Sequence, residues 1–189
     1  MGIILNGSKP SKIIYNGAES SLYFNGSKIW PEEEPAPDPP LPPIAANTVR
    51  VRTSDGNVPN NGYYESATLV TGTTNVYDCY SSWFAGLLAN ATNVVEILGV
   101  NPGNQTDLNS LCAGCTSLTT IALFDTSNIT DISYAFANCT NVESGALALY
   151  QQASTQANPP SNHISTFKDC GSNTVTGAAE LAQIPSEWK

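Results

Sequence analysis

Charged residues are scarce in this chain, and their scarcity limits the functions that it can have. Only 12% of the 189 residues are charged, with seven Lys and Arg against 16 Asp and Glu and a formal net charge of −9. Binding to nucleic acid needs Lys and Arg that displace counterions from phosphates. The composition therefore excludes nucleic acid as a partner, and the polar surface must come from Asn, Thr, Ser and Gln.

Long apolar runs and the usual catalytic motifs are missing too. No run of about 18 apolar residues occurs, so no membrane insertion is predicted. The first seven residues contain neither the charged region nor the long apolar region of a signal peptide. We therefore expect that the chain has no signal peptide and that it is made in a cytoplasm. The one histidine, His163, lies in a loop rich in Pro, Ser and Asn and is interpreted as a surface residue. P-loop, Gly-x-Gly-x-x-Gly and H-E-x-x-H patterns are absent, so we predict no catalytic residue, no cofactor and no metal site.

Residues 1–30 repeat one short Asn-Gly unit, found at residues 5–9, 15–19 and 24–28. Asn-Gly favours the two-residue turn of a β-hairpin because both residues tolerate positive φ. The flanking apolar residues favour strands, so about four short antiparallel strands are expected. Thirty residues bury little core, so we predict that this segment is stabilised by a partner or by oligomerisation; a self-sufficient small sheet is the alternative.

Residues 31–43 hold seven of the 13 prolines and predict an extended linker. At about 3.1 Å per residue its ends would lie roughly 40 Å apart. Residues 44–189 then form the main domain. It opens with two predicted strands, at 48–53 and 67–71. We interpret residues 44–81 and 146–189 as caps on either side of a repeated region.

A sequence repeat of fixed period runs through the main domain. Residues 88–97, 112–121 and 136–145 align with a period of 24, and a degenerate copy at 167–170 is displaced by an insertion of seven residues. Such a period lies in the range of leucine-rich repeats, whose stacked units share one core. Residues 118–123 fit the L-x-x-L-x-L strand, and residues 130–136 predict a short helix with Thr130 as its N-cap. Positions 94, 118 and 142 are expected to face the core.

The same alignment explains the cysteines. Cys115, Cys139 and Cys170 occupy one column, and Cys112 shares a column with Leu88 and Phe136. The C-x-x-C at 112–115 is typical of redox or zinc sites. Here, however, its two cysteines belong to two different core columns of the repeat, and their spacing is a coincidence. We therefore predict buried free thiols. A disulfide between Cys115 and Cys139 under oxidising conditions is left open.

Residues 123–142 resemble the BspA-like leucine-rich repeat, F-D-T-S-x-V-x-x-M-x-x-M-F-x-x-C-x-x-L, with Ile132 and Ala135 where that family prefers Met. The closing stretch 146–185 and the Asn-Gly hairpins ending at Trp30 are similar to parts of proteins from tailed phages and prophages. We therefore predict an α/β solenoid: a short BspA-like leucine-rich-repeat stack with a β N-cap, preceded by a small antiparallel β-hairpin segment.

The resemblance implies a non-enzymatic phage virion protein, either a head or tail fibre or a capsid decoration protein. Residues 1–30 would anchor it to other virion proteins or join it into a homo-oligomer such as a trimer. A glycan or a protein on the host surface would meet the repeats. A purely stabilising role and a bacterial surface adhesin of the BspA-like type are the alternatives. The predicted binding residues are Glu96, Thr119, Thr120, Glu143, Tyr134 and Tyr150, and the predicted anchor residues are Tyr15, Asn16, Tyr23, Phe24, Asn25 and Trp30.

Overall fold

The chain forms two compact units, residues 1–40 and 41–189. In this computed structural model the described residues are 14–15, 18–19, 22–24, 27–30 and 40–189. None of the helices in these ranges is long and apolar enough to cross a membrane. The elements in chain order are β1 (Ile14–Tyr15), β2 (Ala18–Glu19), β3 (Leu22–Phe24), β4 (Ser27–Trp30), β5 (Thr48–Thr53), β6 (Ser66–Leu69), β7 (Val76–Tyr80), β8 (Val94–Asn101), β9 (Thr120–Ile121), α1 (Ala146–Thr155), α2 (Val175–Gln183) and a 3₁₀ helix (Ser186–Trp188).

The first unit contains two antiparallel hairpins, β1–β2 and β3–β4. Tyr15 lies opposite Ala18, and Phe24 lies opposite Ser27. In each hairpin two residues separate the paired strands, and the sequence at these positions reads Asn-Gly. The predicted anchor residues divide into two groups: Tyr15, Tyr23, Phe24 and Trp30 lie on these strands, whereas Asn16, Asn25 and the first Asn-Gly unit lie outside the described residues.

The predicted linker is described only at its end. Residues 31–39 lie outside the described residues. Residues 41–43 belong to the second unit, where the Pro42 carbonyl accepts a hydrogen bond from Arg50 Nη1 at 2.5 Å. The contact fixes the start of the second unit against its central strand.

A five-stranded sheet opens the second unit, in the order β6-β7-β5-β8-β9. The first four strands pair antiparallel, and β8 and β9 pair parallel. The strand predicted at 48–53 is confirmed as β5, which is buried on both faces. The strand predicted at 67–71 is observed as β6, which begins one residue earlier and ends two residues earlier, at the exposed edge of the sheet. Strand β8 therefore pairs antiparallel with β5 on one side and parallel with β9, from the next repeat, on the other.

The repeats lie side by side and are joined by backbone hydrogen bonds that recur at the same positions of each copy. The amide of Leu88 donates to the carbonyl of Leu111, the amide of Cys112 to that of Ala135, and the amide of Phe136 to that of Thr166. The residues two positions before and after each of these donors make the same kind of bond. Isolated parallel bridges join Asp107 to Asp131 and Asp131 to Asn162. Every repeat thus uses its backbone to bind the next one. The assignment of this stack to a leucine-rich-repeat solenoid stays a prediction.

The core consists of columns in which one side chain from each repeat is buried. The positions expected to face the core, Val94, Leu118 and Val142, are fully buried. The rings of Phe136 and Phe167 stack with centroids 6.0 Å apart, which places the degenerate copy in line with the others. Burying such a side chain contributes about 2 kcal/mol. The repeated columns are Phe84, Leu108 and Ile132; Leu87, Leu111 and Ala135; Leu88, Cys112, Phe136 and Phe167; and Ala91, Cys115, Cys139 and Cys170.

The helix predicted at 130–136 is wrong, because these residues form successive turns. Tyr134 and Asn138 have φ of 57° and 60°, and left-handed residues at this spacing interrupt an α-helix. The hydroxyl of Thr130 does not cap a helix; it donates to the Thr106 carbonyl of the preceding copy at 3.1 Å.

The left-handed positions are themselves periodic. One set recurs at Gly86, Ser110, Tyr134 and Ser165, and the other at Asn90, Gly114, Asn138 and Asp169. Both sets keep the period of the repeat, lengthened by the inserted segment before the last copy. The turn geometry therefore follows the repeat.

The strand predicted over 118–123 is also shorter than expected. Only Thr120–Ile121 is a strand, and Leu123, which the pattern places inside, is 55% exposed. The chain leaves the sheet at Ala122, whose amide is the last to bond the previous copy, at Ile97.

Two α-helices and the C-terminal residues cover the last copies. Thr174 caps α2, with its hydroxyl accepting from the Gly177 amide at 3.0 Å. Trp188 is buried, and its carbonyl accepts from the amide of Phe167 at 2.8 Å. The indole contacts the ring of Tyr150 edge-on and stacks on that of Phe167. The apolar column of the repeats is thereby covered at this end.

Candidate binding surface

The parallel strands bring four of the predicted binding residues together. Glu96 on β8 pairs with Thr120 on β9, and Thr120 forms a parallel bridge with Ser144 of the third copy. In the neighbouring column the Thr119 hydroxyl donates to the Val95 carbonyl at 2.9 Å. The amide of Glu143 donates to the Thr119 carbonyl at 2.8 Å. These residues form one row of polar groups across three copies.

Much of the hydrogen-bonding capacity of this row is used within the protein. The Glu96 carboxylate accepts from Arg52 Nε at 2.8 Å, and both side chains are partly exposed. The Thr119 hydroxyl is bonded to backbone as described above, and Thr119 and Thr120 are half-buried. Glu143 is exposed. The row is a hydrated and mostly satisfied surface, with Glu143 as its most accessible charge.

The two predicted aromatic binding residues lie on other elements. Tyr134 belongs to the turn segment, is 43% exposed and has the left-handed backbone described above. Tyr150 is on α1, half-buried, with its ring 5.4 Å from that of Trp188. Tyr150 therefore stabilises the C-terminal cap, and of these two residues Tyr134 is the more exposed to solvent.

Sequence reasoning missed a cleft of about 420 Å³. It lies where β8 ends and where the next copy reaches the equivalent position, since Asn101 and Asp125 are one period apart. Its wall is completed by Ile44 from the segment that precedes β5. The lining residues are Ile44, Val100, Asn101, Pro102, Gly103, Asp125 and Asn128.

One wall of the cleft is held by the Asn101 side chain. Asn101 Nδ2 donates to the Ile44 carbonyl at 2.8 Å, and Asn101 Oδ1 accepts from the Gly103 amide at 3.2 Å. Gly103 has φ of 59°, and a Cβ at this position would lie 2.5 Å from Asn47 Oδ1. Asn47 Oδ1 is buried without a hydrogen-bond partner among the described residues. The wall is thus tied to a segment 57 residues earlier in the chain.

The other wall carries the polar groups that face solvent. Asp125 is exposed, and its Oδ1 accepts from the Ser127 amide at 2.8 Å. This bond and one from the Ser127 side chain lower the pKa of Asp125 below its usual value, so the carboxylate is charged at neutral pH. Asn128 is also exposed, and within residues 40–189 its side chain makes no hydrogen bond. Acceptor positions on the Asp125 carboxylate and the side-chain amide of Asn128 are therefore available at the cleft.

The cysteines lie in the core and not at a surface. All five are buried free thiols. Desolvation raises the pKa of Cys79 and of Cys170 to about 12. Across the described ranges, no group of three or more His, Cys, Asp or Glu side chains is arranged to hold a metal ion.

His163 is not the simple surface residue that the sequence predicted. Its ring stacks on Trp188 with centroids 4.3 Å apart, and its Nδ1 lies 3.0 Å from the Pro160 carbonyl. The imidazole therefore takes part in the packing of the C-terminal cap.

No family model, no curated protein and no solved structure matches this chain.

Proposed function

We propose that this chain is a non-enzymatic structural protein of a phage virion, in which residues 1–30 attach to other virion proteins and the second unit adheres to a host surface. A head or tail fibre and a capsid decoration protein both fit this role. The observation that carries the adhesive part is that neighbouring repeats bring a row of polar side chains together and, with Ile44, line a separate cleft.

The use of reactive groups supports a role without catalysis. Thiols, the imidazole and the Arg50–Asp78 pair all act in packing: Arg50 Nε and Nη2 donate to the two Asp78 oxygens at 2.6 and 2.7 Å, with the Arg50 side chain 3% exposed. A stacked core of this kind tolerates variation of its outward side chains, because they do not hold the repeats together.

The hairpins support an anchoring role for the first unit. Their strands are two to four residues long, and hairpins this short gain stability by pairing with other chains. A net charge of +2 on residues 1–30, from Lys9, Lys12 and Lys28 against Glu19, favours an acidic partner.

Deletion of residues 1–30 tests the proposal. Particles produced by cells that carry the gene are purified on a density gradient, and the chain is detected in them by mass spectrometry. We expect the intact chain to sediment with particles and the deleted chain to be lost from them. A matched variant, Glu143→Gln in the second unit, should be incorporated normally.

Two results would overturn the proposal. Normal incorporation of the deleted chain would remove the anchoring role. Detection of the intact chain on the surface of cells that make no particles would instead favour a bacterial adhesin. Light scattering of the full chain separates the two virion roles, since a trimer indicates a fibre and a monomer indicates decoration.

A further inference from the structure

We propose that the cleft between Asn101 and Asp125 binds one neutral pyranose unit of a surface polysaccharide. This inference deepens the adhesive part of the proposed function and assigns it to the cleft, away from the polar row at Glu96 and Thr120. It depends on the size, the polar groups, the apolar floor and the charge of the cleft.

The volume suits a single sugar. Ligand pockets commonly enclose about 300 to 1,000 Å³, and at about 420 Å³ this cleft lies near the lower end of that range. A pyranose ring with part of its hydration fits this space, whereas a long peptide or an extended aromatic ligand does not. The sugar at the end of a chain, or one that projects from it, is therefore the expected occupant.

The polar groups match a pair of neighbouring hydroxyls. The Asp125 carboxylate only accepts hydrogen bonds, and it has about four acceptor positions. The amide and the side chain of Ser127 use two of them, so acceptor positions remain available. The Asn128 amide both donates and accepts. Since each sugar hydroxyl also donates and accepts, one hydroxyl donates to Asp125 while the next bonds the Asn128 amide. Bonds to a charged carboxylate are the stronger ones.

The floor of the cleft is apolar and fixed in advance. Ile44 and Pro102 are half-buried and offer an apolar surface to the C–H face of a sugar ring, and Val100, which is 7% exposed, lies at the cleft beside them. The Asn101 side chain holds this wall to the Ile44 backbone, as described above, so binding orders few additional groups. A preformed site loses less entropy when the ligand binds.

The charge of the cleft selects among sugars. The second unit carries 4 basic residues against 11 acidic ones, a net charge of −7, and the one charged group in the cleft is the Asp125 carboxylate. Sialic and uronic acids are therefore repelled, and uncharged hexoses are accepted. Because Asp125 is the one carboxylate among the lining residues, the cleft lacks the pair that glycoside hydrolysis uses. The site is suited to hold a sugar and not to cleave it.

The test uses the full chain and a panel of simple sugars. Methyl glycosides of glucose, galactose, mannose and N-acetylglucosamine are titrated and followed by amide chemical shifts, with glucuronate and sialic acid as charged probes. We expect at least one neutral glycoside to shift the amides of Val100, Gly103 and Asn128 in a saturable way, with and without EDTA. The charged probes should shift none of them.

Variants separate the cleft from the rest of the surface. Asp125→Asn keeps an acceptor for the Ser127 amide but removes the charge, and Asn128→Ala removes the amide. Each is expected to weaken the sugar about tenfold. Asp55→Asn is the matched control, since Asp55 Oδ1 accepts from the Asn57 amide at 3.0 Å in the same kind of turn, outside the cleft. It should bind as the unchanged chain does.

Three results would overturn the inference: no shifts at the cleft with any neutral glycoside, unchanged affinity in both cleft variants, or binding that requires Ca²⁺ and is abolished by EDTA. None of them affects incorporation of the chain into particles, so failure of the cleft and failure of the proposed function are distinguishable.

Discussion

The thiol of Cys139 donates a hydrogen bond to the backbone carbonyl of Cys112 in the preceding repeat, at 3.0 Å. The thiol of Cys115 does the same with the carbonyl of Leu88, at 3.1 Å. Both pairs are separated by 27 residues, so the sulfur atoms join neighbouring repeats in the same way. The column serves as packing and as a set of weak hydrogen bonds between copies.

The native thiols should be unreactive. Burial raises the pKa of Cys139 and Cys112 well above the usual value. The Cys115 side chain is fully buried as well, so no reagent reaches it. We expect a disulfide-exchange reagent at about pH 8 to modify none of the five thiols quickly in the folded chain, and all of them in denaturant. Fast modification of one thiol in the folded chain would contradict the packing of this column.

Gly145 should be far less replaceable than Gly86, although both have positive φ. A Cβ on Gly145 would lie 1.9 Å from the Ile121 carbonyl oxygen, whereas a Cβ on Gly86 would meet nothing within 4 Å. We expect Gly145→Ala to lower the free energy of unfolding by at least about 3 kcal/mol and Gly86→Ala by about 1 kcal/mol. Urea denaturation measures both. Equal effects would show that β9 and α1 approach each other less closely than described.

The Arg50–Asp78 pair should contribute much more to stability than the Arg52–Glu96 pair. Asp78→Asn leaves the Arg50 charge, which is 3% exposed, without its partner, so we expect a loss of about 3 to 5 kcal/mol in urea denaturation. Glu96→Gln acts on a pair whose side chains are 25% and 34% exposed, and should cost less than about 1 kcal/mol. If the two variants lose the same stability, the burial assigned to Arg50 is incorrect.

Stability should fall in acid partly through Glu65. The hydroxyl and the amide of Ser82 donate to this carboxylate and lower the pKa of Glu65 from its usual 4.5. Because the folded pKa is the lower one, the stabilisation is present above the unfolded pKa and is lost as pH falls through the folded pKa.

Thermal unfolding between about pH 7 and about pH 3 measures this effect. We expect the advantage in Tm of the unchanged chain over Glu65→Gln to shrink as pH falls. Ser82→Ala, which removes one of the donors, should show a weaker dependence on pH. An advantage that stays constant would contradict the assigned hydrogen bonds.

The period of the repeat was readable from the sequence because burial recurs with it. Val94, Leu118 and Val142 recur as apolar residues, and all three are fully buried. The local conformation between them was not readable. Apolar residues at i, i+3 and i+4 also fit successive turns, and the left-handed residues that decide between the two include Ser110 and Tyr134, residue types for which positive φ is not expected.

The cleft illustrates a different limit. The offset of one period between Asn101 and Asp125 is visible in the sequence. The wall that closes the cleft, however, comes from Ile44, which is separated from the repeats by the strands β5, β6 and β7. Nothing in the local pattern around Ile44 connects it to position 101. The hydrogen bond from Asn101 Nδ2 to its carbonyl is a product of the tertiary fold.

The periodic left-handed positions bear on how the length of this protein could be changed. In its turn segment each copy donates from alternating amides to the copy that follows, and in its strand segment it donates to the copy before, so the two sides of a copy are complementary. Adding or removing one whole repeat would leave the sheet at one end and the Trp188 cap at the other unchanged. Reach could then be altered by duplication of a short stretch of gene, without redesign of either end.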